Sequence, residues 1–188
     1  ASCLVGSEMC IRDRLAIVND DMPFLVDSIA GVIGAHDIAI DRIIHPVLPV
    51  TRDADGVLQG VGDAGVRESM IYIETERADA RDRRDLLDDL ASCLADVRVA
   101  VEDWRRMQAT LAADAGMIED TGGDPEGASL MRWFLDRHFT LLGHERWMAD
   151  AGGETGRIVG EQLGIARNAH EPPLLADRSR HLLSLIHI

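Results

Sequence analysis

The chain has 188 residues, 46% of them hydrophobic and 4% aromatic, with a formal net charge of −14; that is enough aliphatic material for one core of ordinary size with an appendage. The acidic balance excludes nucleic acid and anionic membrane surfaces as partners, because both demand a basic face. No apolar run reaches the roughly 20 residues that span a bilayer and no secretory signal is visible, so a cytoplasmic protein is expected.

Taken in chain order, the ends come first. Glu8 to Arg14 and Leu183 to Ile188 back-translate into strings that are reverse complements over their shared length, and they resemble the mosaic end of a transposase used to prepare sequencing libraries. Residues 1–14 and 183–188 are therefore read as adapter sequence and set aside. Of three cysteines only Cys93 then remains, too few for an internal disulfide or a cysteine-rich zinc site, so a reducing compartment is expected.

"LAIV", Leu15 to Val18, reads as a buried strand that ends at Asn19, Asp20 and Asp21. A helix should follow, capped by Asp20 or Asp21, with Pro23 in its first turn and Phe24, Leu25, Ser28, Ile29, Val32 and Ile33 on its apolar face. Gly34 and His36–Asp37 close it. "IAIDRIIHPVLPVTRD" reads as a strand bent or placed at an edge by Pro46 or Pro49, "DADG" as a hairpin turn, and "ESMIYIETER" as the returning strand, with Ile71, Ile73 and Thr75 alternating against Met70, Tyr72 and Glu74.

From Ala80 to about Ala113, Leu86, Leu90, Cys93, Leu94, Val97, Val101 and Trp104 form the stripe of an amphipathic helix; the alternation of Val97, Val99 and Val101 leaves a local strand as the alternative. "DTGGDPEG", Asp120 to Gly127, is the clearest linker. Beyond it a short helix carries Leu130, Trp133 and Phe134 and ends near His138. "FTLLGHERWM" reads as a strand, "DAGGETGR" as a turn and "IVGEQLGIAR" as a second extended segment. The expected fold is α+β and ferredoxin-like, an antiparallel sheet with helices on one face, followed by a long helix and the start of a second α+β module.

Several constellations invite a chemical reading. "GVGDAG" satisfies G-x-G-x-x-G at Gly60, Gly62 and Gly65, but a hairpin turn precedes it and a strand follows, whereas a dinucleotide site needs a helix N-terminus there. Asp20, Asp21 and Asp27 have the residue type for a general acid and base; acidic residues at a helix start are equally accounted for by the free amides and the helix dipole, worth about 0.3–1 kcal/mol each. His36, His45, His138 and His144 sit on separate elements without ligand spacing, so no metal site is expected. No G-x-S-x-G elbow occurs, and Cys93 falls on a core stripe as a small hydrophobe.

"IVNDDMPFLVDSI", "IHPVLPVTRDADG", "ESMIYIE", "LADVRVAVEDWRRM", "HFTLLGHERW" and "QLGIAR" resemble, in that order, the N-terminal region of the large bacterial NAD-specific glutamate dehydrogenases. The resemblance covers nearly all of Leu15 to Arg167. It implies an ACT-type domain over residues 15–115, a linker over 116–128 and a truncated start of the next module over 129–182. For the parent protein it implies oxidation of L-glutamate to 2-oxoglutarate and ammonia with NAD as hydride acceptor. Such enzymes resemble one another in using lysines to hold substrate and assist proton transfer, and this sequence has no lysine. No catalytic residue and no cofactor is therefore assigned to this stretch; NAD belongs to the parent.

In ACT domains the turn from first strand to first helix resembles D-x-P-G, with the glycine amide approaching an amino-acid ligand. Asp21-Met22-Pro23 fits and Phe24 stands where the glycine would, which restricts close backbone approach while leaving Phe24 to start the helix and pack the core. A bound amino acid would meet Asn19, Asp20 and Asp21 as polar contacts and the amides of Met22 and Phe24 as donors to its carboxylate. Three readings result. The first is a non-catalytic regulatory or assembly region of a large NAD-dependent glutamate dehydrogenase, partnered by the remaining domains of the parent, forming a homo-oligomer and taking an amino-acid effector. The others are a free-standing ACT-like amino-acid-sensing module and a small carboxylate enzyme using Asp20, Asp21 and Asp27.

Overall fold

The computed structural model describes residues 2–6, 12–149, 155–157 and 161–168. Two compact units divide at Val97 and Arg98. In the first, strict alternation builds the sheet. Asp13, Leu15, Ile17 and Asn19 of β2 (Arg12–Asp20) are buried, and so are Ser69, Ile71, Ile73 and Thr75 of β6 (Val66–Glu76). The two strands pair antiparallel with Leu15 opposite Ile73 and Ile17 opposite Ile71, so one continuous apolar row faces the helices. Each such Ile or Leu, when fully buried, contributes about 1.5–3 kcal/mol relative to exposure.

The strand expected from "IAIDRIIHPVLPVTRD" is interrupted at His45–Pro46 into β3 (Ile40–Ile44) and β4 (Val47–Arg52), and both pieces pair with β6. The Pro46 carbonyl still accepts the Met70 amide at 2.9 Å, which keeps the ladder continuous across the break. "DADG" turns as expected: the Asp53 carboxylate accepts the amides of Asp55 and Val57, and Gly56 takes φ 80. What returns from it is a short strand the sequence reading missed, β5 (Leu58–Val61), which lies on the far side of β4 from β6. The glycine-rich loop then carries the chain past the end of β4 to reach β6.

The sheet order is β1-β2-β6-β4-β5, all antiparallel. Its β2 edge is occupied by β1 (Ser2–Gly6), part of the segment read as adapter; the other adapter tail, residues 183–188, lies outside the described residues. The fold is the α+β, ferredoxin-like arrangement that the element order implies.

α1 (Leu25–Ala35) buries Leu25, Ile29 and Ile33. Two expectations about its start are corrected. Neither Asp20 nor Asp21 caps it; Phe24 occupies the N-cap position with φ 71 and no side-chain cap. Phe24 does not pack the core either, being 43% exposed, because the left-handed backbone turns its ring away from the stripe that begins at Leu25. The C-terminus ends as "GAHD" suggested. Asp37, at φ 56, donates to the Gly34 carbonyl and Ile38 donates to that of Ile33, the paired bonds of a Schellman motif.

α2 (Ala80–Asp120) is one helix of 41 residues, so Val97 to Val101 are helical and the strand alternative does not hold. Its N-terminus is capped by the Asp79 carboxylate, which accepts the amides of Arg81 and Asp82. Leu86, Leu90, Leu94 and Val97 are buried in the first unit. In the second, Met107, Leu111 and Ala115 join Met131, Leu141 and Leu163 in one cluster, with Trp104 and Phe134 against it.

Residues 116–120 thus belong to α2. A turn at Thr121–Asp124 leads to α3 (Pro125–Trp133), where Asp124 caps and Pro125 opens the helix. A π-type turn, Phe134–His138, ends with Arg137 at φ 62. The continuous strand expected over "FTLLGHERWM" is corrected to two short pieces, β7 (Gly143–His144) and β8 (Trp147–Ala149). β8 pairs with β9 (Thr155–Arg157), and β7 pairs with β10 (Leu163–Gly164), which runs into a single 3-10 turn at Ile165–Arg167. Of the extended segment expected over "IVGEQLGIAR", residues 158–160 lie outside the described residues, as do 150–154 of the expected turn.

Candidate functional site

The acidic corner after β2 is built by a cross-strand clamp. Asn19 is buried and its side-chain amide donates to the Asp20 carbonyl at 3.2 Å. Asp21 uses its backbone amide on the Arg67 carbonyl at 3.0 Å, while its carboxylate accepts the Ser69 hydroxyl at 3.0 Å and the Arg67 Nε–H at 3.3 Å. The carboxylate expected to cap α1 therefore fastens β2 to β6 instead. Strand pairing brings Ser69 directly opposite Asn19, and a side chain so placed competes successfully with the helix amides.

Pro23 and Phe24 form the turn into α1. Among the described residues the amides of Met22 and Phe24 meet no hydrogen-bond acceptor, and α1 begins with no side-chain cap. Phe24 adopts the left-handed backbone that a glycine takes without strain. Five residues singled out from the sequence, Asn19, Asp20, Asp21, Met22 and Phe24, thus lie on one corner. Asp27 is exposed on the first turn of α1.

Sequence reasoning missed the residues that brace this corner from β4 and β6. Arg52 forks onto Glu68, Nε to Oε1 at 2.6 Å and Nη2 to Oε2 at 2.8 Å. That hydrogen bonding holds the Glu68 carboxyl below the usual glutamate range, against burial and the nearby Asp20 charge. No periodicity reveals such a pair, since it depends on β4 lying beside β6. The sign of its pH effect follows from the depressed folded-state value. The pair's stabilisation is complete above the ordinary glutamate pKa of 4.5 and is lost as the pH falls through the lower folded value. Thermal melts between neutral pH and acid are expected to show a steeper acid loss for the wild type than for Arg52→Ala.

Three of the four candidate histidines have a partner at one ring nitrogen, while among the described residues the buried Nδ1 of His144 meets none. His36 Nε2 bonds Asp89 at 2.8 Å on the surface. His138 stacks on Trp133 at 4.6 Å and bonds the Trp133 carbonyl, and His144 Nε2 meets Asp114, which also holds Arg146. Burial, with Asp96 assisting, pushes the Cys93 thiol up against the opposing Ser28 hydrogen bond, which favours the unreactive form. Among the described residues no group of three His, Cys, Asp or Glu is placed to hold a metal ion, and no helix is long and apolar enough to cross a membrane.

The residues at Gly60–Gly65 do not fit a dinucleotide. β5 ends at Val61 and β6 begins at Val66, so the loop joins two strands and offers no helix N-terminus to a pyrophosphate.

Comparison with known proteins gives this architecture a family. The family described as "Glutamate dehydrogenase, ACT1 domain" matches residues 8–90. The chain is 31% identical over 167 residues to the NAD-specific glutamate dehydrogenase of Pseudomonas aeruginosa, an alignment covering 80% of this chain and 10% of that protein. It is likewise 31% identical over 170 residues to the NAD-specific glutamate dehydrogenase of Halomonas elongata, covering 81% of this chain and 10% of that protein. The chain spans about a tenth of the length of the curated relatives it matches. An antiparallel sheet of this order, an ACT1 match over residues 8–90 and likeness along four-fifths of its length together make the chain similar to an N-terminal region of the NAD-specific glutamate dehydrogenases that carries an ACT1 domain.

Proposed function

We propose that this region is a non-catalytic regulatory and assembly module of a large NAD-dependent glutamate dehydrogenase, whose whole chain converts L-glutamate and NAD to 2-oxoglutarate, ammonia and NADH. The observation that carries this reading is the ACT1 match over residues 8–90, within a chain that aligns with a tenth of enzymes named for that activity. The lack of lysine and, among the described residues of the first unit, of a strand-to-helix glycine turn supports placing the chemistry elsewhere on the parent. The effector in this reading is an amino acid. Its carboxylate meets the amides of Met22 and Phe24 and its ammonium meets the Asn19–Asp21 corner.

Calorimetric titration of the 188-residue chain with a panel of amino acids tests the regulatory part. Saturable heat is expected from at least one of them. The Phe24→Gly variant should bind more tightly, because loss of the ring and Cβ opens the backbone to close approach. Silence across the panel in both proteins overturns effector binding. Extending the reading frame tests the parentage: a lysine-bearing dehydrogenase domain downstream supports it, and a stop codon replaces it with a free-standing sensing module. The same extension tests the adapter assignment of residues 1–14 and 183–188, which resequencing without tagmentation settles.

A further inference from the structure

α3 is apolar on two sides. Ala128 and Met131 are buried, Met131 within the core cluster of the second unit. At 3.6 residues per turn Leu130 and Trp133 centre about 160° away around the helix, and there Leu130 is 41% and Trp133 49% exposed. Phe139, 45% exposed, extends this surface by way of Phe134: ring centroids lie 5.6 Å apart from Trp133 to Phe134 and 5.0 Å apart from Phe134 to Phe139. Large apolar groups scattered singly over a surface need no partner, but a contiguous set marks a place of contact, and a helix apolar on opposite faces is packed on both.

The surface is also held rigid. His138 stacks on Trp133 with centroids 4.6 Å apart and planes 10° apart, and its Nδ1 bonds the Trp133 carbonyl at 3.0 Å. The turn that brings it there places Arg137 in the left-handed region at φ 62. An exposed indole fixed in one orientation has little side-chain freedom left to lose when it is covered, which suits it to anchor a contact.

We infer that Leu130, Trp133 and Phe139 form the seat of a further, apolar segment of the parent polypeptide, packed on this platform within the same molecule. Size decides between occupants. A half-exposed tryptophan and phenylalanine with part of a leucine offer on the order of 300 Å², well under the about 800 Å² that each partner contributes to a standard interface between separate molecules. A second copy or a free partner would hold weakly there. A tethered segment meets the platform at an effective concentration in the millimolar range, so weak affinity suffices. The relatives have ample chain for it: the alignments take in 10% of each of them, and by covering 80% or more of this chain they include α3 and Phe139, which lie beyond the ACT1 match at residues 8–90. The inference rests on the parentage proposed above.

Hydroxyl-radical footprinting read by mass spectrometry tests it, on the 188-residue chain and on the full-length polypeptide of the extended reading frame, each against a reporter peptide in the same solution. Trp133 and Phe139 are expected to be labelled freely in the short chain and about tenfold more slowly in the long one. Leu130→Ser combined with Phe139→Ser should leave the circular dichroism of the short chain unchanged, because both positions are exposed, and should restore most of the Trp133 labelling in the long one. Equal Trp133 labelling in the two proteins, or protection that the double substitution leaves intact, overturns the docking site while the parentage stands. A stop codon in place of a downstream dehydrogenase domain overturns both. Protection of Trp133 already present in the short chain assigns the cover to the chain itself, or to a second copy if it fades on dilution, and either result overturns the inference.

Discussion

Replacing Gly65 by alanine is expected to destabilise the first unit by at least about 3 kcal/mol, enough to unfold a marginal domain at physiological temperature. Gly65 has φ 134, and a Cβ built there would overlap the Val50 carbonyl oxygen and stand 2.6 Å from its carbonyl carbon. Both partners are backbone, and Val50 is itself locked between β5 and β6, so neither can yield. Gly62→Ala is the control, since a Cβ there meets nothing within 4 Å, and it should change stability little. Urea denaturation of the two variants beside the wild type checks the pair. The result would also fix what the glycine pattern is for. The third glycine lets the chain cross the end of β4, a backbone demand that a G-x-G-x-x-G string shares with phosphate binding.

The second large effect is expected at Asp103. This α2 residue is 3% exposed, yet it carries a carboxylate. One of its oxygens accepts the buried Gly164 amide at 2.9 Å and the Arg167 guanidinium at 3.2 Å; the other accepts from Arg106 at 3.1 Å. Gly164 itself has φ 58, and a Cβ there would overlap the Leu142 carbonyl, so the segment sits in a conformation that its partners impose. Asp103→Ala strands the buried amide and removes the anion facing Arg167, for an expected cost of about 2–4 kcal/mol. Asp103→Asn keeps an acceptor for Gly164 and should recover part of that cost. Chemical denaturation of the three proteins, with hydrogen exchange at the Gly164 amide, separates the outcomes. Unchanged protection in Asp103→Ala would show that the carboxylate is not what holds the segment.

Much of the first unit was legible in the sequence because its signals are local. The alternation in "ESMIYIETER" set both the strand and its buried face, "DADG" set a turn, and the stripe Leu25, Ile29, Ile33 set a helix. What stayed hidden depends on partners distant along the chain. Asp21 looks like a helix cap until β6 places Ser69 and Arg67 beside it. Phe24 looks like core until its backbone enters the left-handed region. β5 is only four residues long and lacks clean alternation. On α2 the eye follows Val97, Val101 and Trp104 and passes over Asp103, because a buried carboxylate breaks the rule that defines the stripe. In the second unit, apolar content in "FTLLGHERWM" imitated a strand, whereas Leu141 is spent on packing against α2 and only two residues join the β10 ladder.

The proline break between β3 and β4 has a further consequence for the protein in crowded solution. Beyond β3 the sheet has no neighbouring strand among the described residues, since β5 reaches only β4. A bare rim of this kind is where foreign polypeptide can template itself into fibrils. Here the rim is five residues long, irregular in register between Ile40 and Arg42, charged at Asp41 and Arg42, and stopped by Pro46. A growing aggregate would find too few consecutive backbone groups to seed on.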